Sequence, residues 1–397
     1  MIGGPVFIVT NARSGSSLLG YLLGAHPDIT CPAEALILTA AAQYGTTTEY
    51  LNAHATGIEH PVAPDALSDA ASAAARTFLG DLVGKIASES GKPVVCVKEL
   101  ETVPLLTFTT RMFPEARYIC LHRHCMDMVA SGLEINRWGF RLPDFRPYIA
   151  RSPDNFVAAL ARYWLDRTTR ILRLEEDPRF ATIRVRYEDL VTDPSGTLAR
   201  VLDHVGVDHD PGQRDGMVAG ALLRPSKGLG EDPKIRYRSR IDSRSVGRGR
   251  AIPAALLDDG LRERINTMLR GLGYCEVDDG WNYSPDARPA AGEDHDDDLP
   301  ALMDMWLRGR ALPDQVPPEV TVELVAVRGD GTRRSWRLDE AAPRAITVAT
   351  REEVLRDLVL GRLGVTSAAR FGMLDVANSG DLEGWLADKA IGAVFGG

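Results

Sequence analysis

The amino-acid sequence predicts an α/β protein in which a parallel central sheet is flanked by helices, followed by a small α+β domain. Three observations carry this. Up to about residue 275, short and nearly continuous apolar runs alternate with helical patterns, as strands covered on both faces and their connecting helices do. The first of these runs opens through a Gly- and Ser-rich turn directly onto a helical pattern, FIVTNARSGSSLLGYLL at residues 7–23. Beyond residue 299 the texture changes, and two β runs flank Gly329-Asp330-Gly331, a hairpin signal.

Strands are expected at 6–10, 93–97, 118–122 and 182–187. Helical spacing covers 16–25, the Ala-rich 66–88, 126–136, 155–174 and 195–205. The last helix starts in TDPSGTL, where Asp193 is placed to cap it and Pro194 to begin it. Residues 276–299 read as a linker: acidic, rich in Pro, Gly and Ala, and without apolar period. After it, LPALMDMWLRGRAL is a short amphipathic helix, VTVELVAVRGDGTRRSWRL the hairpin and RAITVAT a strand. TREEVLRDLVLGRLG is a helix whose start pairs Thr350 with Glu353 as a capping box. The expected domains are therefore 1–275 and 300–397, joined by an acidic linker at 276–299.

The net charge of −9 is unevenly spread over the 397 residues. The stretch 276–299 holds nine acids against Arg288, whereas 223–250 holds nine Lys or Arg against three acids and reads as a basic loop. A basic loop can grip nucleic-acid phosphates. This one lacks interleaved stacking aromatics beyond Tyr237, and its surroundings are not basic, so nucleic acid is not expected as a partner. Cys31, Cys96, Cys120, Cys125 and Cys275 include no CxxC pair and suit buried free thiols in a reducing cytoplasm. No run of about 18 apolar residues reads as a membrane span. The start MIGGPVFIVT lacks the basic flank and cleavage site of a signal peptide, so a cytoplasmic location is expected. The cluster GEDHDDD lies in the linker and reads as solubilising, and no metal is expected.

The turn at 11–17 has the makings of an anion cradle. A strand running into a helix leaves backbone N–H groups unpaired at the helix start, where the helix dipole adds partial positive charge. Gly15 allows close backbone approach, Arg13 can hold an oxyanion with two parallel bonds, and Ser14, Ser16 and Ser17 add hydroxyl donors. The triphosphatase motif GxxxxGK[ST] is absent, because no Lys precedes Ser16. A polar helix start that binds nothing is the plainer alternative.

At these residues a resemblance enters. NARSGSSLL is similar to the 5′-phosphosulfate loop of sulfotransferases that use 3′-phosphoadenosine-5′-phosphosulfate (PAPS), with Ala12 in place of the usual Pro. ARYICLHRHCMDMVASGLE resembles that family's 3′-phosphate segment, with Arg123 and Ser131 at the ligand positions and His124-Cys125 in place of Asp-Pro. VRYEDL is similar to its Y-E-D-L segment. SRSVGRGR resembles its S-V-G-R-W-R loop, with Gly249 where Trp is common. Over about residues 5–275 the resemblance implies a P-loop nucleotide-binding-like fold and PAPS as co-substrate, with PAP as product. It implies that Arg13, Ser14, Gly15, Ser16 and Ser17 hold the sulfated end. Arg123, Ser131, Arg244, Ser245, Gly247 and Arg248 would hold the 3′-phosphate. Tyr187 is placed either near the adenine or in the core. Glu188 and Asp189 are expected to be structural, orienting arginines.

Sulfuryl transfer needs a base for the acceptor hydroxyl and a cation for the leaving oxygen. AHPDITCPAEALIL places Glu34 shortly after the first helix, where apolar surroundings would raise its pKa and make it a base; His26, His54, His60 and His122 are the alternatives. Lys98, directly after a strand, resembles the family's strand-end Lys facing the sulfuryl group, and Arg13 shares that role; an ordinary exposed lysine is the other reading. The acceptor is expected to be a small-molecule or lipid-like alcohol, met by Tyr44, Tyr50, Trp138, Phe140 or Trp164. The C-terminal region is weakly similar to sterol-carrier-protein-2-like domains, so a lipid-binding role and a dimerising one both stand for it, and a homo-oligomer is admitted. A P-loop-like kinase and a non-catalytic nucleotide- or lipid-binding protein are the competing functions.

Overall fold

The structure is a computed structural model, and it describes residues 4–56, 63–136, 143–223, 241, 243–281, 299–308, 312, 316–360, 363–370, 372–378, 390–392 and 394–395. These fall into two compact units, 4–281 and 299–395. Most of the acidic stretch 276–299 and of the basic stretch 223–250 lies outside the described residues, as do His60, Trp138, Phe140 and Tyr237.

The first unit is built on five parallel strands: β1 (Val6–Thr10), β2 (Ile29–Thr30), β3 (Val94–Lys98), β4 (Arg117–His122) and β5 (Ala181–Arg186). Their order across the sheet is β2-β3-β1-β4-β5. All five residues of β1 are buried, which explains why the run VFIVT carries no polar alternation. Val6 and Ile8 pack toward α1 (Ser16–Gly24), and Phe7 and Val9 toward α2 (Ile37–Thr56) and α3 (Asp69–Ser90). Phe7 also stacks on Tyr118 of β4 at 5.6 Å.

From β1 the chain crosses to the sheet edge at β2 and returns as β3. It then passes through α4 (Leu106–Met112) to β4 on the other side of β1. The direction of winding therefore reverses at β1, and the carboxyl ends of β3, β1, β4 and β5 line the crevice where such sheets bind ligands. Next come α5 (Cys125–Ile135), α6 (Arg146–Arg151), α7 (Phe156–Glu175), α8 (Tyr187–Thr192), α9 (Pro194–Val205), α10 (Pro211–Gly220) and α11 (Asp259–Gly271). The four expected strands and the five expected helices are present with shifted ends. β2, the 20-residue α2, and α4, α6, α8, α10 and α11 are additions to the sequence reading.

The second unit holds β6 (Val320–Val327), β7 (Arg333–Arg337), β8 (Arg344–Arg351) and β9 (Asp375–Asn378) in the order β7-β6-β8-β9. β6 and β7 form the expected antiparallel hairpin, with Gly331 at φ 84° in its turn. β6 and β8 are parallel. Leu302 and Trp306 of α12 (Leu299–Leu307) and Leu355 of α13 (Glu352–Val359) pack with Leu324 and Val348. The expected capping box does not form. Thr350 lies in β8 and its hydroxyl donates to the Met373 carbonyl at 2.6 Å, so Arg351 takes the cap position without a side-chain bond.

Asp193 caps α9 as expected, accepting from Gly196 N–H at 2.9 Å. Asp193→Ala should lower stability by about 1 kcal/mol and Asp193→Asn by much less, measured by denaturant unfolding.

Candidate active site

The turn after β1 is shaped by two left-handed residues, Arg13 at φ 66° and Gly15 at φ 97°. Gly15 is required twice over. Its backbone favours glycine, and a Cβ there would lie 2.3 Å from Cδ2 of Tyr187. Ala12 N–H donates to the Tyr163 hydroxyl at 3.0 Å, and Asn11 Nδ2 to Thr168 Oγ1 at 2.9 Å, so α7 braces the turn from behind. Gly15 caps α1 without a side chain, and the first turn of α1 contains no acidic residue. The Ser14 hydroxyl is buried without a partner among the described residues. The helix start, with its N–H groups and dipole, is thus open to an anion.

Arg123, the residue after β4, is 5% exposed and ties this turn to distant segments. Its Nη1 donates to the Arg13 carbonyl at 2.9 Å and its Nη2 to the Ser245 carbonyl at 2.8 Å. The guanidinium lies 4.4 Å from the ring centre of Tyr187, whose hydroxyl meets Ser245 Oγ at 2.5 Å. No carboxylate pairs with Arg123 among the described residues, and its Nε is buried without a partner there. A buried cation held by carbonyls and a ring, with no counter-charge, is costly unless an anion joins it. Ser131, in α5, is not a solvated helix serine: it is buried and accepts from Arg13 Nε at 3.2 Å.

The 243–250 loop is pinned to α5 by Asp127, which accepts from Gly247 N–H and Gly249 N–H, each at 2.7 Å. Arg248 pairs with Glu134 at 2.9 Å, and Arg244 lies on the same loop. Two of the three departures from the family pattern, at His124 and Gly249, have local explanations. His124 takes over the helix cap, its Nδ1 accepting from Met126 N–H at 3.2 Å, while its ring stacks on Trp281 at 5.0 Å. Gly249 sits against the α5 backbone, where a Cβ would fall 2.4 Å from the Met126 carbonyl carbon, and the Trp281 indole N–H donates to its carbonyl at 3.3 Å. Among the described residues Glu188 pairs with no arginine; it accepts from His124 N–H at 3.0 Å and from the Tyr274 hydroxyl at 2.8 Å.

At the end of β3, in register with Ile8 of β1, Lys98 is 4% exposed and not a surface lysine. Its Nζ meets Glu34 Oε1 at 2.8 Å, and Leu100 N–H donates to Glu34 Oε2 at 3.3 Å. Glu34 therefore faces a cation and an N–H rather than the apolar surroundings expected for it. The carboxyl that burial pushes up, to about 7, is its neighbour Glu99, which accepts from Ile37 N–H at 2.6 Å and Leu38 N–H at 3.1 Å at the start of α2. His122, the alternative base nearest Arg123, is 1% exposed and bound to Glu175 Oε1 at 2.7 Å, on the α7 side of the sheet. His26 is likewise buried, holding the Asp208 carbonyl and Asp28 N–H. Trp164 is core, its indole N–H donating to the Arg123 carbonyl at 3.0 Å.

The family model described as the sulfotransferase family matches residues 5–211, just over half of the chain. The chain belongs to the sulfotransferase family. It is 27% identical over 263 residues to nodulation protein NoeE of Sinorhizobium fredii (strain NBRC 101917 / NGR234), covering 60% of this chain and 58% of that protein. The chain thus spans less than two thirds of that relative's length. It is 23% identical over 285 residues to protein-tyrosine sulfotransferase A of Caenorhabditis elegans, covering 68% of this chain and 67% of that one. Among solved structures it is similar to the sulfotransferase domain from the curacin biosynthetic pathway, at 18% identity and a TM-score of 0.48, covering 69% of this chain and 99% of that one.

Within this sulfotransferase-family unit the structure brings Arg13, Ser14, Gly15, Arg123, Ser131, Tyr187 and Ser245 to one crevice. Lys98 and Glu34 stand at the neighbouring strand end. Arg248 pairs with Glu134 of α5. Sequence reasoning missed Asp127, Glu99, Tyr163 and Trp281. Glu99 carried a weak signal, an acid directly after a strand-end lysine; the others carried none. A surface cleft of about 1220 Å³, lined in part by Arg151, Arg162, Arg170, Arg173 and Arg264, contains none of the crevice residues. No helix of the described residues is long and apolar enough to cross a membrane, and none of their His, Cys, Asp and Glu form a group that could hold a metal.

A folded-state carboxyl at about 7, above its ordinary 4.5, means that the contribution of Glu99 favours the fold fully below about 4.5 and is lost as pH rises through 7. Wild type should therefore lose up to about 3 kcal/mol relative to Glu99→Gln between pH 5 and 8 in denaturant unfolding.

Proposed function

We propose that the chain transfers a sulfuryl group from PAPS to a hydroxyl of a small-molecule or lipid-like acceptor, with Glu34 as base. The observation that carries this reading is the pairing of Lys98 with Glu34, a cation and a carboxylate at one strand end beside a helix start open to an anion. The residues present fit the donor. The N–H groups after Gly15, without a side-chain cap, and the Ser14 hydroxyl, without a partner among the described residues, suit a sulfate or phosphate, and buried Arg123 has no counter-charge among those residues. When bound, PAPS supplies an activated sulfuryl group whose bridging phosphate oxygen can leave.

The chain's own part follows from charge. In the structure Lys98 and Glu34 neutralise each other. An anion in the crevice competes for the Lys98 ammonium and releases the Glu34 carboxylate toward an incoming hydroxyl. Glu34 then accepts the hydroxyl proton, while Lys98 and Arg13 steady charge on the departing oxygen. Ser131 fixes Arg13 for that task. An apolar acceptor is supported by Leu36, Tyr44 and Leu51, at 50%, 45% and 63% exposure. Tyr44 and Leu51, seven apart, share one side of α2, and Leu36 lies just before that helix. No step is routed through the second unit.

Calorimetry with PAP should show binding to wild type and at least a tenfold loss for both Gly15→Ala and Arg123→Ala. ATP with Mg²⁺ binding in place of PAP would favour the kinase reading. Glu34→Gln should keep PAP affinity within about threefold while the transfer rate falls by about 10²–10⁴. Unchanged transfer in that variant would remove Glu34 as base.

A further inference from the structure

Three residues before Glu34 and two before Lys98 stand Cys31 and Cys96, and the sheet register sets them side by side. Ile29 pairs with Val94 and Thr30 with Val95, and the bridge between Ala33 and Lys98 keeps the same offset. Cys31 and Cys96 are therefore the opposed pair one step beyond β2. Adjacent strands lie about 4.8 Å apart, within the roughly 4.4–6.8 Å that a disulfide spans between Cα atoms.

Both cysteines lie on the α1 side of the sheet. Cys96 is in the core with Leu19 and Leu23, and Cys31 packs against that core. A Cβ at Gly20 would lie 3.2 Å from Cys31 Sγ and one at Gly24 3.8 Å from Cys31 Cβ, so these two glycines leave the space the sulfur occupies. The thiols interact: the Cys31 thiol, hydrogen-bonded to it, and burial push the Cys96 thiol well up. Cys31 is half-buried and Cys96 fully buried, so of the two residues Cys31 is the one a small oxidant meets first.

We propose that Cys31 and Cys96 form a reversible oxidation site that peroxide converts to an intramolecular disulfide, switching off the Glu34–Lys98 pair beside it. The Cys31 thiolate attacks hydrogen peroxide, forming a sulfenic acid and releasing hydroxide. The Cys96 thiol then attacks that sulfur, the S–S bond forms and water leaves. In sum two thiols lose two electrons and two protons, and peroxide becomes two waters; a dithiol reductant reverses the change. The effect on the site follows from connection. Cys31 shares a short segment with Glu34, whose backbone is already left-handed at φ 39°, followed by Leu36 at φ 55°. Cys96 shares β3 with Lys98. The cross-link ties that segment to β3 beside the 2.8 Å contact between Glu34 and Lys98 and restrains the parting of the pair that frees Glu34 to act as base.

The control of activity rests on the function proposed above; the oxidation site does not. The test therefore reads both. The full chain carrying Cys275→Ser, which removes the exposed thiol, is treated with hydrogen peroxide, alkylated and mapped by mass spectrometry. PAPS-dependent sulfuryl transfer is followed in parallel. The expected result is a cross-linked peptide pair containing residues 31 and 96, at least tenfold loss of transfer, and recovery with dithiothreitol. Cys31→Ser and, independently, Cys96→Ala should form no cross-link and keep transfer under the same peroxide. Alkylatable Cys31 and Cys96 after treatment would overturn the site. A complete cross-link with transfer unchanged would overturn the control. A cross-link in a protein that never transfers sulfate would uphold the site and reject the function.

Discussion

The crevice depends on one buried guanidinium. Arg123 joins the turn after β1 to the loop before α11 by donating to two backbone carbonyls, those of Arg13 and Ser245. Each bond from a charged donor to a neutral acceptor contributes about 1.5–3 kcal/mol, yet burying a charge without a partner costs more than that. The ring of Tyr187 recovers part of the difference. What remains is an excess of positive potential walled by protein, at the same place where the start of α1 adds its own. The arrangement costs stability, as it does where a site is shaped for a ligand before the ligand arrives, the role proposed for this crevice.

The second polar cluster divides its labour differently. Lys98 and Glu34 are close enough to neutralise each other, so they cost the folded protein little, and they stand at a strand end. Glu99 points the other way and binds the first N–H groups of α2. Two adjacent residues of one strand end thus serve opposite ends, Lys98 toward the crevice and Glu99 toward the scaffold, because successive side chains of an extended chain alternate in direction. The carboxyl that burial pushes up to about 7 is the one bound to the start of α2, not the one proposed as base, so a perturbed acid is not by itself a sign of a catalytic one.

Much of the first unit was legible because its physics is local. Doubly covered strands must be continuously apolar, and β1, β3 and β4 are; Asp193-Pro194 must start a helix, and it does. β2 escaped because two residues hold no period. α2 escaped because Thr46, Thr47, Thr48 and Gly45 dilute its pattern with poor helix formers, and packing against α3 overrides that preference. Thr350 and Glu353 match a capping box in spacing, yet the hydroxyl found the Met373 carbonyl, a partner no local rule can foresee.

The sequence by itself determined the parallel layered fold, the Gly15 turn, the strand-end positions of Arg123 and Lys98, and the family to which these belong, since each is written in residues a few positions apart. Only the tertiary structure decided what those groups touch. Arg123 meets carbonyls 110 and 122 residues away, Asp127 reaches the Gly247 loop, and Trp281 stacks on His124. Such pairings arise when strands and helices distant in sequence are packed into one sheet and its cover, and no periodicity or spacing along the chain encodes them.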